Sequence, residues 1–186
     1  MNPIYLFFAE GTEEVEALAV VDIVRRAGLP IQIVSVTGDL LVKSSHDVHI
    51  KADVLFEDAD LENASLFVLP GGLPGAYNLY EHAGLRKAIQ KRYDAGEPLA
   101  AICAAPLVYG RMGLLKGVKA TCYPGFDKEL EGAEYTGKLV EQDGQFITGK
   151  GPAAVFEFAY AIVTKLAGEE KVQTLKDGML YSELVK

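Results

Sequence analysis

Apolar and polar positions along this chain switch between two periodicities. Residues 4–9 form a short continuous apolar run, the pattern of a strand buried on both faces of a sheet. From 12 to 27 the spacing becomes helical, with Val15, Leu18, Ala19 and Ile23 among apolar positions that cover much of the circumference. Thr12 stands where an N-cap belongs and Gly28 where a terminating glycine belongs. Residues 31–36 predict a second strand, 40–42 and 48–50 two short ones, and 66–69 another buried strand stopped by Pro70-Gly71-Gly72. A buried strand at 99–102 runs straight into Cys103, with helical patterns before it (85–95) and after it (104–114). A short strand is expected at 117–121. Residues 136–140 and 145–148 read as a hairpin turning through Asp143-Gly144. The last long helix is expected at 153–166 with Pro152 at its first position, and a shorter helix or loop follows Gly168.

Strands that alternate with helices predict a mostly parallel sheet covered on both faces. With 186 residues the chain suits one domain, 1–186, in which 168–186 forms a C-terminal extension. In such sheets sites gather at the carboxyl ends of strands, here the loops after Ala9, Leu69 and Ile102. Charge narrows the partners. A net charge of −8, from 18 basic and 26 acidic residues, argues against nucleic acid or an anionic membrane surface. No apolar run approaches the ~18 residues of a bilayer span. The run at 4–9 is too short, and lacks the basic flank, to read as a secretory signal. Only Cys103 and Cys122 occur, without a disulfide framework, so both are expected to be reduced and the protein cytoplasmic.

The three loops carry complementary chemistry. Cys103 sits at a strand-to-helix corner, where free main-chain N–H groups and the helix dipole are expected to favour its thiolate. A buried thiol acting as a small hydrophobe is the plainer reading of the same residue. In Glu10-Gly11-Thr12-Glu13-Glu14-Val15-Glu16, Glu13 and Glu14 suit the positive end of a helix. Glu16, beside the apolar stretch from Leu18 to Val20, is expected to point inward and to keep its proton, so that it can donate to the sulfur or act as a general acid and base. Pro70-Gly71-Gly72-Leu73-Pro74-Gly75 reads either as a plain turn or as half of an oxyanion hole, with the N–H groups of Gly72 and Ala104 as the two donors. The glycine loop lacks the Gly-Lys-Ser/Thr of a phosphate loop and the first loop is acidic, so no nucleotide or flavin cofactor is expected. His46 and His49 would project to opposite faces of a strand, and His82 lies apart; no metal site is expected.

These segments, with Val21-Asp22-Ile23-Val24-Arg25-Arg26-Ala27-Gly28, Val68-Leu69-Pro70-Gly71-Gly72, Ala101-Ile102-Cys103-Ala104-Ala105-Pro106 and Gly151-Pro152 through Phe156-Glu157-Phe158-Ala159, occur in one order over nearly the whole chain. The combination resembles the ThiJ/PfpI superfamily, most closely its DJ-one branch, which includes bacterial protein deglycases. The resemblance implies a flavodoxin-like three-layer sandwich, similar to the class I glutamine amidotransferases, and a homodimer. It implies that Cys103 is a reactive, oxidisable nucleophile, that Glu16 is a protonated partner of the sulfur, and that Gly72 and Ala104 are the oxyanion donors. Roles proposed in the family include glutathione-independent glyoxalase, deglycation of early glycation adducts, chaperoning, and stress sensing through a cysteine sulfinate.

The chain also departs from the family pattern. Ala104 stands where the peptidase branch has a histidine, which counts against cysteine peptidase or amidase chemistry. Tyr123 stands where the DJ-one branch often has a histidine, and His46 and Lys150 replace two arginines of an anion pocket. Gly71, Tyr123, Lys150 and His46 are therefore expected to line the pocket around Cys103 and Glu16. The expected partner is a small aldehyde or a glycated adduct. The expected activity is a cysteine-dependent glyoxalase or deglycase, with a non-enzymatic sensor or chaperone as the alternative.

Overall fold

In a computed structural model, which describes residues 2–184, the chain forms a flavodoxin-like α/β sandwich. The strands are β1 (Ile4–Phe8), β2 (Ile31–Ser35), β3 (Leu41–Lys43), β4 (His49–Lys51), β5 (Val54–Leu55), β6 (Leu66–Leu69), β7 (Leu99–Ile102), β8 (Lys119–Ala120), β9 (Glu134–Tyr135), β10 (Val140–Asp143) and β11 (Phe146–Gly149). The helices are α1 (Glu14–Arg26), α2 (Gly75–Glu81), α3 (Ala83–Asp94), α4 (Pro106–Arg111), α5 (Val155–Ala167), α6 (Glu169–Gly178) and α7 (Tyr181–Leu184).

Seven strands make the central sheet in the order β10-β11-β7-β6-β1-β2-β5. All neighbours are parallel except the β10–β11 hairpin at one edge. The continuous apolar runs of β1, β6 and β7 are fully buried because each of their faces meets a layer of helices. One core unites Leu6, Val68, Ala100 and Ile102 with Ile23 of α1 and Phe158 of α5. The other joins Phe7, Phe67, Leu69 and Ala101 to Leu79, Ile89 and Tyr109 of α2, α3 and α4. Period two along each strand thus sorts neighbouring residues into opposite layers. Helix α6 adds Val172 and Leu175 to the first core. Among the described residues no helix is long and apolar enough to cross a membrane.

Several boundaries differ from the sequence expectation. Glu13, not Thr12, caps α1: its carboxylate accepts the Glu16 N–H at 2.6 Å, whereas the Thr12 hydroxyl accepts the Ala9 N–H at 3.1 Å and closes the preceding turn. The helix expected from 104 begins at Pro106, because 103–105 form the turn out of β7. The hairpin does turn at Gly144, but its first strand is Val140–Asp143 rather than 136–140, since pairing Asp143 with Phe146 fixes the register. The 117–121 segment narrows to β8, which pairs in parallel with β9 outside the central sheet. A 3-10 turn over Pro152–Ala154 precedes α5, so Pro152 opens that turn and not the helix. Helix α2 had no counterpart in the expectation.

Candidate active site

The site lies at the carboxyl ends of β1, β6 and β7, where main-chain bonds join the first two loops. Glu13 N–H donates to Gly71 O at 2.9 Å and Gly75 N–H donates to Gly11 O at 3.2 Å. The loops meet so closely that a Cβ on Gly72, whose φ is +89°, would fall 2.3 Å from Glu13 N. Gly71 is equally constrained from the other side. A Cβ there would stand 2.7 Å from Cys103 Cβ and 2.8 Å from Glu16 Oε2. The two glycines thereby let the cysteine, the acid and the loop occupy one small volume.

Cys103 has φ +63°, a left-handed conformation that is unusual for a residue with a side chain. Its N–H donates to Gly149 O at 2.9 Å and its carbonyl accepts the Tyr123 N–H at 2.8 Å. The chain therefore leaves β7 in a sharp corner and lifts the thiol toward the neighbouring loops. The thiol is largely buried, with 8% of the residue exposed. The main-chain N–H groups of Gly72 and Ala104 lie near enough to favour its thiolate, and the Glu16 carboxylate near enough to oppose it.

Glu16 is fully buried in the first turn of α1. Its Oε2 accepts the Gly71 N–H at 2.8 Å. Its Oε1 is buried without a hydrogen bond of good geometry, so this oxygen is free to carry a proton. Burial raises the Glu16 pKa to about 7; the Gly71 N–H and the Cys103 thiol oppose the rise, and the nearby Glu13 adds to it. The expected thiolate depends on the charge of Glu16 more than on the helix end. Helix α4 has only six residues and starts three positions beyond Cys103. Burial pushes the thiol up, and a charged Glu16 pushes it further, against the Ala104 and Gly72 N–H groups. Both contributions of the carboxylate vanish when Glu16 is protonated, so ionisation of the thiol is tied to a proton on Glu16.

The cleft over the thiol encloses about 350 Å³ and is lined by Glu13, Ser45, His46, Gly72, Leu73, Cys103, Ala104, Tyr123 and Phe126. Its rim is the turn between β3 and β4. Gly11 N–H donates to Lys43 O and Ser45 N–H donates to Thr12 O, both at 2.9 Å, which seats this hairpin on the loop before α1. His46 Nδ1 lies 2.9 Å from Glu14 Oε1, and Ser45 donates to Glu14 Oε2 at 3.2 Å. Burial pushes Glu14 up, but its own main-chain N–H, Ser44, Ser45 and His46 outweigh this and hold it below the usual carboxylate range. Glu13, Glu14 and His46 bring ligand-type atoms within 4.8 Å of one another. That cluster was not anticipated, because His46 lies in the turn rather than on a strand with His49.

Other expected pocket residues separate. Tyr123 stands half exposed at the cleft wall. Lys150 donates to Gly137 O at 2.8 Å and lines a neighbouring cleft of about 200 Å³ beyond Tyr123, so its charge is not in the Cys103 cleft. Gly71 lies behind the thiol and serves Glu16. Cys122 is buried and its thiol is pushed up to about 12, chiefly by burial. Glu13, Ser45 and Phe126 had not been expected as lining. The acidic run did point to Glu13, but Ser45 and Phe126 follow from hairpin and loop placement that no local pattern discloses.

The DJ-1/PfpI family model matches residues 2–165 of this chain. The chain belongs to the DJ-1/PfpI family. It is 40% identical over 165 residues to protein DJ-1 homolog B of Arabidopsis thaliana; the match covers 88% of this chain but only 38% of that longer protein. It is 32% identical over 168 residues to the glutathione-independent glyoxalase DJR-1.2 of Caenorhabditis elegans, covering 89% of each. An oxidised DJ-1 of Toxoplasma gondii superposes with a TM-score of 0.92 at 30% identity, covering 97% of this chain and 98% of that one. The DJ-1 resemblance expected from the ordered motifs therefore holds at the level of family and fold.

The raised Glu16 pKa predicts a pH-dependent stability difference. Folding favours the protonated acid, so this contribution is fully present below the unfolded value near 4.5 and is lost as pH rises through about 7. Glu16→Gln should therefore gain stability relative to the native protein between pH 5 and pH 8, by up to about 3 kcal/mol, in urea unfolding. The same variant lacks the charge that opposes the thiolate, so its Cys103 alkylation midpoint should fall. A midpoint that rises instead would show that the acid carries its proton while the thiol ionises.

Proposed function

We propose that the protein converts small reactive dicarbonyls, or adducts derived from them, through covalent attack by Cys103. The observation that carries this reading is the placement of the Cys103 thiol in one cleft with Gly72 and Ala104, with the buried Glu16 carboxyl behind it against Gly71. The similarity to a protein named as a glutathione-independent glyoxalase supports it. With methylglyoxal, sulfur bonds to the aldehyde carbon, and the thiol proton passes by way of Glu16 to the carbonyl oxygen, giving a hemithioacetal. The N–H groups of Gly72 and Ala104 stabilise the oxyanion as it develops. Glu16 then moves a proton from the former aldehyde carbon to the adjacent carbon, while the hydroxyl proton on the first carbon passes to the neighbouring carbonyl oxygen, giving a lactoyl thioester. Water cleaves the thioester, releasing lactate and restoring the thiol. The sum is methylglyoxal plus water to lactate, with no external oxidant or reductant. A pKa near 7 lets Glu16 serve as acid and base in one cycle near neutrality.

A second reading rests on Glu16 Oε1, the buried oxygen without a partner. In a peroxide sensor, two equivalents of hydrogen peroxide would oxidise the thiolate to a sulfinate and yield two waters, and a protonated Oε1 would donate to a sulfinate oxygen. The solved relative described as oxidised supports keeping this alternative. Peptidase chemistry fits less well, since Ala104 supplies no base beside the thiol.

The proposed protein is a homodimer. Val15 and Leu18 on α1, with Leu41 and Val48 at the β3–β4 hairpin, expose large apolar side chains on elements that border the cleft. Two free thiols suit a reducing compartment, and we place the protein in the cytoplasm.

Cys103→Ser should abolish lactate formation from methylglyoxal; retained turnover would remove the enzymatic reading. In the native protein, peroxide-driven gain of two oxygens at Cys103 in intact-mass spectra, with no measurable turnover, would select the sensor instead. Sedimentation equilibrium should give twice the mass of the 20.1 kDa chain, and a strictly monomeric profile would overturn the dimer.

A further inference from the structure

A second cleft shares no lining residue with the one over the thiol. A groove of about 550 Å³ lies between α3 and the segment 56–62, with Phe56, Leu61, Gly84, Ala88 and Ala95 supplying its apolar wall. Cationic and acidic side chains share the lining: Lys87, Lys91 and Arg92 against Glu62 and Glu97. Both acids are already engaged. Glu62 pairs with Lys91 across the mouth in an exposed ion pair, and Glu97 Oε2 lies 2.9 Å from Arg92 Nη1. Lys87 forms no salt bridge among the described residues. The lining therefore carries one cation in excess.

Arg92 is the unusual member. It is 97% buried, its guanidinium lies 4.5 Å from the centroid of the Phe67 ring, and Nη1 donates to Ala64 O at 2.9 Å. Its Nε is buried with no hydrogen-bond partner. A buried guanidinium donor without an acceptor costs free energy unless something supplies the acceptor. The carbonyls that Arg92 holds, Ala64 and Pro98, precede β6 and β7, so this arginine stands at the amino ends of strands whose carboxyl ends carry the Cys103 site.

We propose that this groove is a binding site for a small apolar molecule ending in a carboxylate. The apolar body lies against Phe56, Leu61 and Ala88, and the carboxylate is received by Lys87, with the Lys91 ammonium and the Arg92 guanidinium in the same lining. Volume and lining match the usual character of small-molecule clefts, mostly apolar walls with a few polar groups that fix orientation. The Lys91–Glu62 pair does not block entry, because an exposed ion pair is weak and its lysine can exchange one carboxylate for another. This site is independent of the chemistry assigned to Cys103.

Decanoate, kept below its micelle concentration, is the probe, titrated into the full-length native protein and followed by amide chemical shifts. Saturable shifts confined to 56–62 and 84–97, unchanged after Cys103 is alkylated, are the expected result. Lys87→Glu should weaken binding about fivefold. Ala88→Trp should abolish it by filling the groove. Decanol, with the same body and no carboxylate, should bind more weakly than decanoate. Absence of saturation, shifts centred on the Cys103 cleft, or equal binding of decanol and decanoate would each overturn the assignment. Lys87→Glu changes only an exposed side chain, so the test survives if Ala88→Trp fails to fold.

Discussion

Both main-chain polar groups of Cys103 are anchored to other elements, its N–H to Gly149 of β11 and its carbonyl to Tyr123. Those two bonds hold a residue with a side chain in left-handed backbone geometry, a state that costs about 1–3 kcal/mol and persists only when its surroundings over-determine it. The rest of the site depends on this corner. A residue in ordinary strand geometry would continue β7, and its side chain would join one of the two cores. At φ +63° the thiol instead leaves the sheet at the point where Gly71, Gly72 and Glu16 converge.

The second constraint is the isolation of Glu16 from water. Its carboxyl shares a pocket with a thiol and receives one main-chain N–H, too little to hold two negative charges together. The acid and the thiol consequently behave as one titrating unit, and the helix end contributes less than the placement of a single proton. Glu13 and Glu14, three and two residues earlier, stand at the helix end, where Glu13 accepts the Glu16 N–H and Glu14 is served by Ser45 and His46. Chemically similar side chains in one helical turn thus acquire different surroundings from burial and hydrogen-bond partners together.

Much of this was legible in the sequence. The continuous apolar runs at 4–9, 66–69 and 99–102 identified the central strands, since strands buried on both faces cannot be amphipathic. The loops that follow them identified Cys103, Glu16, Gly72 and Ala104, which the structure brings together. Local pattern failed where long-range geometry decides. Thr12 and Glu13 are both competent caps, and the choice between them depends on the turn that Thr12 closes with Ala9. Helix α2 follows a loop rich in glycine and proline and was hidden by it. Lys150 looked like a pocket cation, but the loop carrying Gly137 captures its ammonium. The tie between the thiol and the Glu16 proton was not legible, because a helix end is visible in one dimension and desolvation is not.

The β3–β4 hairpin shows how closely access and chemistry are joined. It forms the doorway to the cleft, yet it is fastened through Lys43 and Ser45 to Gly11 and Thr12, in the loop that leads directly into the turn bearing Glu16. The same main-chain bonds that seat the doorway therefore also brace the turn from which Glu16 projects. The width of the entrance and the position of the buried acid are in this way set by one shared set of main-chain bonds, so that neither can be altered in isolation from the other.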